Sequence, residues 1–317
     1  MTLELPRREH NKKLAQEWVK AHPPSPEIPA VQQQLPATIV DGLFPFGYNP
    51  SIVRFGDRVL VAYRWHEKPT WETSLAIAEL DRSGKVIANK KISLTGLSAE
   101  DPRLFTDGGT LWMSYVQATS WPKGGTPTCL IRYGRLIERD EWSVEGQTLV
   151  KYGRNDGMSM EKNWVPFFHR KNIHFIYSCN RSQTVIEVEN DSVITELFGA
   201  GASWKWGECR GGTPPLPHQG KWLRFFHSRT SNRYYVGALL MEPEPPFNVI
   251  SVSKRPVLKG SDEDSLTDAQ RKACPFRHPK VAFPLGAIAM KEGWLLSVGI
   301  NHGQCGLVTV GEGNFNF

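Results

Sequence analysis

Asn49-Pro50-Ser51-Ile52-Val53-Arg54-Phe55-Gly56-Asp57-Arg58-Val59-Leu60-Val61-Ala62-Tyr63-Arg64 is a β-hairpin legible in the sequence. A polar residue and a proline open an apolar run, Gly56-Asp57 supplies the turn, and a second apolar run ends on a cation. Four more stretches repeat the pattern: Asp101-Pro102 to Ser114-Tyr115, Asn163 with Pro166 to Tyr177-Ser178, Thr213-Pro214 to Phe226-His227, and Phe283-Pro284 to Gly299. Their turns are Asp107-Gly108-Gly109, Arg170-Lys171-Asn172, Gln219-Gly220 and Lys291-Glu292-Gly293. The prolines recur at intervals of roughly 50 to 70 residues, in the range of propeller and array repeats. One hairpin cannot bury its apolar face alone, so five imply stacked sheets around an axis. The expected fold is all-β, a five-bladed β-propeller.

In a hairpin, the start of the first strand and the end of the second share one end. Around an axis, this brings two rings of residues to one mouth. The opening ring is Asn49, Asp101, Lys162-Asn163 and Thr213; the closing ring is Arg64, Gln117, Asn180, His227 and Asn301-His302. A carboxylate, cations, amides and imidazoles in one funnel suit a polyhydroxylated or phosphorylated ligand. The plainer alternative is that each is a solvated strand end, since loops are polar.

The chain has 317 residues, 40% of them hydrophobic, enough for one large core. The 28 glycines and 23 prolines match a turn-rich all-β chain. A net charge of +6 is spread without a long basic run, which argues for an anionic ligand and against nucleic acid. Cys129, Cys179, Cys209, Cys274 and Cys305 show no metal spacing and read as reduced core thiols. His169, His174, His218 and His278 also lack ligand spacing, so no metal is expected. No leader pattern and no long apolar run is evident, so a soluble, cytoplasmic protein without a membrane partner is expected. Oligomeric state is left open, a homo-oligomer included.

Residues 1–37 form the expected N-terminal unit: a short amphipathic helix over about residues 7–21, stopped at His22-Pro23-Pro24, then a proline-rich extended arm. Residues 38–317 form the expected propeller. Ser261 to Lys272 reads as a surface loop or short helix inserted before the fifth hairpin.

Six strings now add to the repeat. They are Glu100-Asp101-Pro102-Arg103, Glu161-Lys162-Asn163-Trp164, Arg210-Gly211-Gly212-Thr213-Pro214-Pro215, Phe225-Phe226-His227, Tyr235-Val236-Gly237-Ala238-Leu239-Leu240 and Phe283-Pro284-Leu285-Gly286. In this order they resemble the β-mannoside phosphorylases and mannosidases of glycoside hydrolase family 130, which are five-bladed propellers. The resemblance spans about residues 47 to 310. It implies that Asp101 is the catalytic acid, acting through a sugar hydroxyl. It implies that Asn49 and Arg64 bind the sugar; the two rings add Asn163, Thr213 and His302 as substrate-binding candidates, with Arg103 beside the acid. It implies that Lys162, His227 and Tyr235 hold phosphate, with Arg210 or Arg154 as candidates for a further arginine. Inorganic phosphate would be the co-substrate and an oligosaccharide or other glycoside the partner; no cofactor is implied. One departure stands out. In Val298-Gly299-Ile300-Asn301-His302 a histidine replaces the family's carboxylate on the sugar hydroxyls. With Glu244-Pro245-Pro246-Phe247, this marks a divergent branch.

The chemistry can be argued beside the resemblance. An inverting hydrolase needs an acid and a base, whereas a phosphorylase needs the acid and cations for phosphate. One mouth carboxylate with Arg64, Lys162 and His227 favours phosphate. A general acid in a closed site should have a raised pKa. Glu161 and Glu208 keep a hydrolase base available; a mannosyltransferase and a non-catalytic sugar-binding propeller are the other readings. Asp101 could instead cap its own turn and pair with Arg103. Trp65, Trp121, Trp164, Trp204 and Trp206 could stack on sugar, but most are expected in the core.

Overall fold

The computed structural model describes residues 37–67, 72–96, 98–120, 128–150, 152, 161–230, 233–261, 268 and 280–317. The expected N-terminal helix and arm, residues 262–267 and 269–272 of the expected loop, Cys274, His278 and the candidates Trp121 and Arg154 lie outside the described residues. The described chain enters with β1 (Thr38–Ile39) and then builds antiparallel meanders. The first is β2 (Tyr48–Phe55), β3 (Arg58–Trp65), β4 (Ser74–Leu80) and β5 (Val86–Ser93). The second is β6 (Ser98–Thr106), β7 (Leu111–Ser120), β8 (Thr128–Glu138) and β9 (Trp142–Leu149). The third is β10 (Val165–His169), β11 (Asn172–Ser178), β12 (Ser182–Glu189) and β13 (Ser192–Ala200). The fourth is β14 (Leu216–His218), β15 (Lys221–Thr230), β16 (Arg233–Met241) and β17 (Val249–Val252), with β18 (Leu258–Lys259) also paired to β16. The last is β19 (Ala282–Met290), β20 (Gly293–Ile300) and β21 (Gln304–Val310).

Each hairpin read from the sequence is present, and each turn falls where the glycine, aspartate or lysine pattern puts it. Two ties between meanders were not legible. The first two meanders join through a short parallel pairing, Ile92 with Trp142 and Ser93 with Ser143. β1 pairs with β21, so the first described strand completes the last sheet. That closes sequence-distant ends together, which a local pattern cannot encode. Among the described residues no helix is long and apolar enough to cross a membrane.

The first strands meet one another through buried polar pins. Ser51 Oγ donates to Leu285 O at 3.3 Å and accepts from Leu104 N at 2.9 Å, while Ser297 Oγ donates to Pro50 O at 2.7 Å. Gly286 permits this approach, since a Cβ there would lie 2.2 Å from Ile52 N. Between the sheets lie apolar clusters, one of them built on Val165, Trp204, Trp206, Phe226, Tyr235 and Phe247. Trp65, Trp164, Trp204 and Trp206 are all buried, so these tryptophans serve packing rather than an exposed sugar surface. Cys129, Cys179, Cys209 and Cys305 are buried free thiols.

Candidate active site

Three strand openings share one backbone device. Asn49, Asp101 and Asn163 have φ of 53°, 51° and 67°, in the left-handed region. Asn and Asp tolerate that region better than other side-chain-bearing residues. The β2–β3 and β6–β7 ladders are bulged over the same stretches, between Tyr48 and Ser51 and between Glu100 and Arg103. A bulge re-aims side chains out of strict alternation. Here it brings residues of separate meanders together: Asn49 Nδ2 donates to Asp101 Oδ1 at 2.7 Å. Gly299 leaves room for this, because a Cβ there would sit 2.2 Å from Asn49 Oδ1.

Arg64, near the end of β3, completes the contact. Its Nη1 lies 3.3 Å from Asp101 Oδ1 and 3.3 Å from Glu100 Oε2. Lys162 Nζ reaches Glu100 Oε2 at 3.0 Å. The guanidinium of Arg64 also lies 4.5 Å from the centre of the Tyr48 ring, a cation–π contact. Both contacts to the Asp101 carboxylate use Oδ1. The alternative of a self-capping turn is not what forms, because Arg103 Nη1 donates to the main-chain oxygen of Asp101, at 3.4 Å.

Electrostatics corrects one expectation. Burial opposes ionisation of Asp101, but Arg64, then Lys162 and Arg103, outweigh it and hold the carboxyl below its usual range. Glu100 is likewise held low, with burial opposed by Arg64 and Lys162. The raised pKa expected of a resting proton donor is therefore absent, because the donor sits in a cationic cluster. Lys162 is also not an idle cation, since Glu100 already accepts from it.

The opposite side of the mouth is built differently. His227 on β15 is buried, stacked on Tyr234 with ring centres 5.8 Å apart and tilted against Phe283 at 4.2 Å. Burial, then Arg103 and Arg210, push its pKa well below the usual histidine range, so it is a neutral donor rather than a cation. Tyr235 corrects a second expectation. It lies in the core against Trp206, with ring centres 5.2 Å apart, while Tyr234 faces His227 and His302. Successive strand residues point to opposite faces, so a one-residue shift exchanges mouth for core. Thr213 is fully buried, and its hydroxyl accepts from Phe225 N at 3.0 Å, which makes it a strand pin. Arg210 is exposed and ion-paired with Glu208 at 3.0 Å. Glu161 accepts from Trp164 Nε1 at 3.2 Å. His302 lies edge-on to Tyr48 and Tyr234, at 6.2 and 6.4 Å.

Tyr48, His66, Glu100 and Tyr234 were missed as site residues by the sequence reading. Tyr48 and Glu100 stand directly before Asn49 and Asp101, and the bulge that lets both neighbours of a pair reach the mouth has no marker beyond the following proline. Tyr48 Oη and His66 Nε2 are 3.0 Å apart. A separate cleft of about 560 Å³ opens between the second and third meanders, lined by Trp112, Tyr133, Lys171 and Asn190. None of the mouth residues lines it. Among the described residues no cluster of His, Cys, Asp and Glu could hold a metal ion.

No protein-family model and no curated protein matches this chain. Solved structures do. A glycosyl hydrolase from Bacteroides ovatus superposes with a TM-score of 0.60 at 15% identity, over 84% of each chain. The β-1,2-mannobiose phosphorylase of Listeria innocua, in complex with β-1,2-mannobiose, gives 0.60 at 14% identity, over 88% of this chain and 92% of that one. The chain shares the β-propeller-like fold of these structures. A further propeller of this kind comes from the GH130 family of mannoside phosphorylases, described as containing hydrolases that target β-1,2-mannosidic linkages in Candida mannan. It superposes with a TM-score of 0.61 at 13% identity, over 90% of this chain and 96% of that one. At such identities the likeness carries the propeller fold, and the chemistry must be argued from side chains.

Proposed function

We propose that this propeller is a carbohydrate-active enzyme, a divergent relative of the mannoside phosphorylases. In this reading its five meanders are five blades around one axis. The enzyme cleaves a β-mannoside-like glycoside with inversion, with Asp101 as general acid and inorganic phosphate as nucleophile. The observation that carries the reading is the Asp101 carboxylate, buried where separate meanders meet and bound by Asn49 and Arg64 rather than by its own turn.

A phosphate oxygen forms a bond to the anomeric carbon as the glycosidic C–O bond breaks. The leaving oxygen takes a proton from Asp101, directly or through a sugar hydroxyl. In the free protein Asp101 is ionised because of Arg64 and Lys162. An anion arriving beside those cations offsets them and adds its own negative charge, which raises the carboxyl pKa. Phosphate would thus be both nucleophile and the means by which the acid gains its proton. Asn49, Arg64 and Asn163 would bind sugar hydroxyls. Lys162, with the neutral N–H of His227, would bind phosphate oxygens. Tyr234 replaces Tyr235 in that role. His302, where the resembled family has a carboxylate, would donate or accept at a sugar hydroxyl and alter sugar preference.

The inverting-hydrolase alternative needs a base well separated from the acid. Its candidates are engaged, Glu208 with Arg210 and Glu161 with Trp164. The test is incubation with β-1,2-mannobiose and other β-mannosides, with and without inorganic phosphate. Formation of a mannosyl phosphate only when phosphate is present supports the proposal. Free mannose formed at the same rate without phosphate overturns it in favour of hydrolysis.

A further inference from the structure

Beneath the mouth, two arginines are buried without an acid of their own. Arg224 on β15 is 0% exposed and Arg103 on β6 is 1% exposed. Both close on one Gly-Gly turn: Arg224 Nη2 donates to Gly211 O, and Arg103 Nε donates to Gly212 O at 3.2 Å. The turn depends on glycine, since a Cβ at Gly211 would lie 3.0 Å from Arg103 Nη2. These contacts leave donors over. Arg103 Nη2 and Arg224 Nε and Nη1 are buried and have no hydrogen-bond partner; His227 Nδ1, a donor or an acceptor according to tautomer, has none either.

A guanidinium stays charged in a protein interior, and an uncompensated buried charge is strongly unfavourable. The nearby carboxylates are occupied. Asp101 serves Asn49 and Arg64, and Glu100 serves Arg64 and Lys162. Cys179 is the remaining acidic neighbour of Arg224: its contact with Cys209 and the Arg224 charge bring the thiol down to about 7, so it supplies at most a partial negative charge at neutral pH, and as a thiol its Sγ donates to Cys209 O at 3.3 Å. Burial and the closeness of Arg224, only partly offset by Asp101, bring the Arg103 pKa down to about 10. Two cations with three unused guanidinium nitrogens around one turn therefore share only an Asp101 carboxylate already bound by Asn49 and Arg64 and a partly ionised Cys179, which leaves them short of counter-charge.

We propose that Arg103 and Arg224 enclose a small inorganic anion of chloride size in the floor of the mouth. Such an ion would be a resident counter-ion, separate from any phosphate at Lys162, and it does not depend on the enzyme being a phosphorylase. Because Arg103 helps to hold Asp101 ionised, occupancy of the floor would also ease protonation of that carboxyl.

The test is thermal unfolding of the full chain at fixed ionic strength and neutral pH, in sodium chloride, bromide, phosphate or gluconate. Gluconate serves as an anion too large for a closed site. Chloride and bromide should raise Tm over gluconate by roughly 2–4 °C once in tenfold excess over Kd. The rise should vanish in Arg224→Met and persist in Lys162→Ala. A rise seen only with phosphate, and lost in Lys162→Ala, would place the anion in the mouth and overturn the floor site. Equal Tm in all four salts would also overturn it. Should Arg224→Met fail to fold, wild-type crystals grown in bromide decide the matter: an anomalous peak between the two guanidiniums supports the site, and its absence refutes it. Turnover with and without phosphate is measured separately, so either reading can fail alone.

Discussion

The two sides of the mouth solve the problem of buried charge in opposite ways. On the side of the first meanders, cations and carboxylates alternate: Arg64 lies between Glu100 and Asp101, and Lys162 caps Glu100. On the side of the fourth, Arg103, reaching across from β6, Arg224 and a neutral His227 meet, among the described residues, no carboxylate beyond Asp101. The first side is charge-balanced, with Arg64 Nε its unpartnered donor; the second has three unpartnered guanidinium nitrogens and less negative charge to balance them. A site of this kind holds its acid rigidly on one side and receives negative charge on the other. In the proposed reading the acid belongs to the first side, phosphate lies between Lys162 and His227 across the two, and the floor anion belongs to the second.

The largest effect should come from Asp101→Asn. It preserves size and removes the proton donor, so kcat should fall by ~10²–10⁴. Circular dichroism and Tm should show an intact fold. A variant with full activity would reduce Asp101 to a structural link between Asn49 and Arg64.

Next in size is a pair of neighbours on β16. Tyr235→Ala opens a hole against Trp206 and should cost about 3–5 kcal/mol by urea denaturation. Tyr234→Ala should cost less stability but raise the KM for phosphate. If the two profiles are reversed, the assignment of Tyr234 to the mouth is wrong.

Glu100→Gln attacks the balanced side. It leaves Lys162 a neutral amide oxygen in place of a carboxylate and halves the negative charge facing Arg64, a change of the type that costs about 3 kcal/mol for a buried pair. The same substitution made as a double variant with Lys162→Met should recover part of that loss in a double-mutant cycle.

The smallest effect is a pH slope. His227 has a depressed pKa in the folded protein, so between that value and the unfolded value near 6.5 the unfolded chain binds more protons. Stability is therefore complete above about pH 6.5 and declines as pH falls below it. His174, whose pKa burial also lowers, contributes to the same decline. His227→Phe should flatten part of the slope. Glu100 and Asp101, held low, add a separate loss only at more acidic pH, below the usual carboxylate range near 4.

Much of this architecture was present in the residue pattern. Alternating apolar runs with glycine or aspartate turns specify hairpins because strand period and turn chemistry are local. The convergence of Asn49, Arg64 and Asp101 was legible for the same reason: every repeat places its opening and closing residues at one end. Tyr235 was misplaced because the face of a strand residue depends on register, and register is set by the neighbouring strand and its bulges. Thr213 had a mouth address, but its hydroxyl turned to Phe225 N, a choice made by local packing.

The chain by itself determined the all-β class, the hairpin repeat and the location of its polar ends, because those follow from short-range periodicity and turn stereochemistry. The tertiary structure decided the charge states. Whether Asp101 is protonated, Lys162 is free or His227 is a cation depends on which groups from distant meanders lie within a few ångströms. That distance is set only when β1 and β21 pair and the first strands are pinned together.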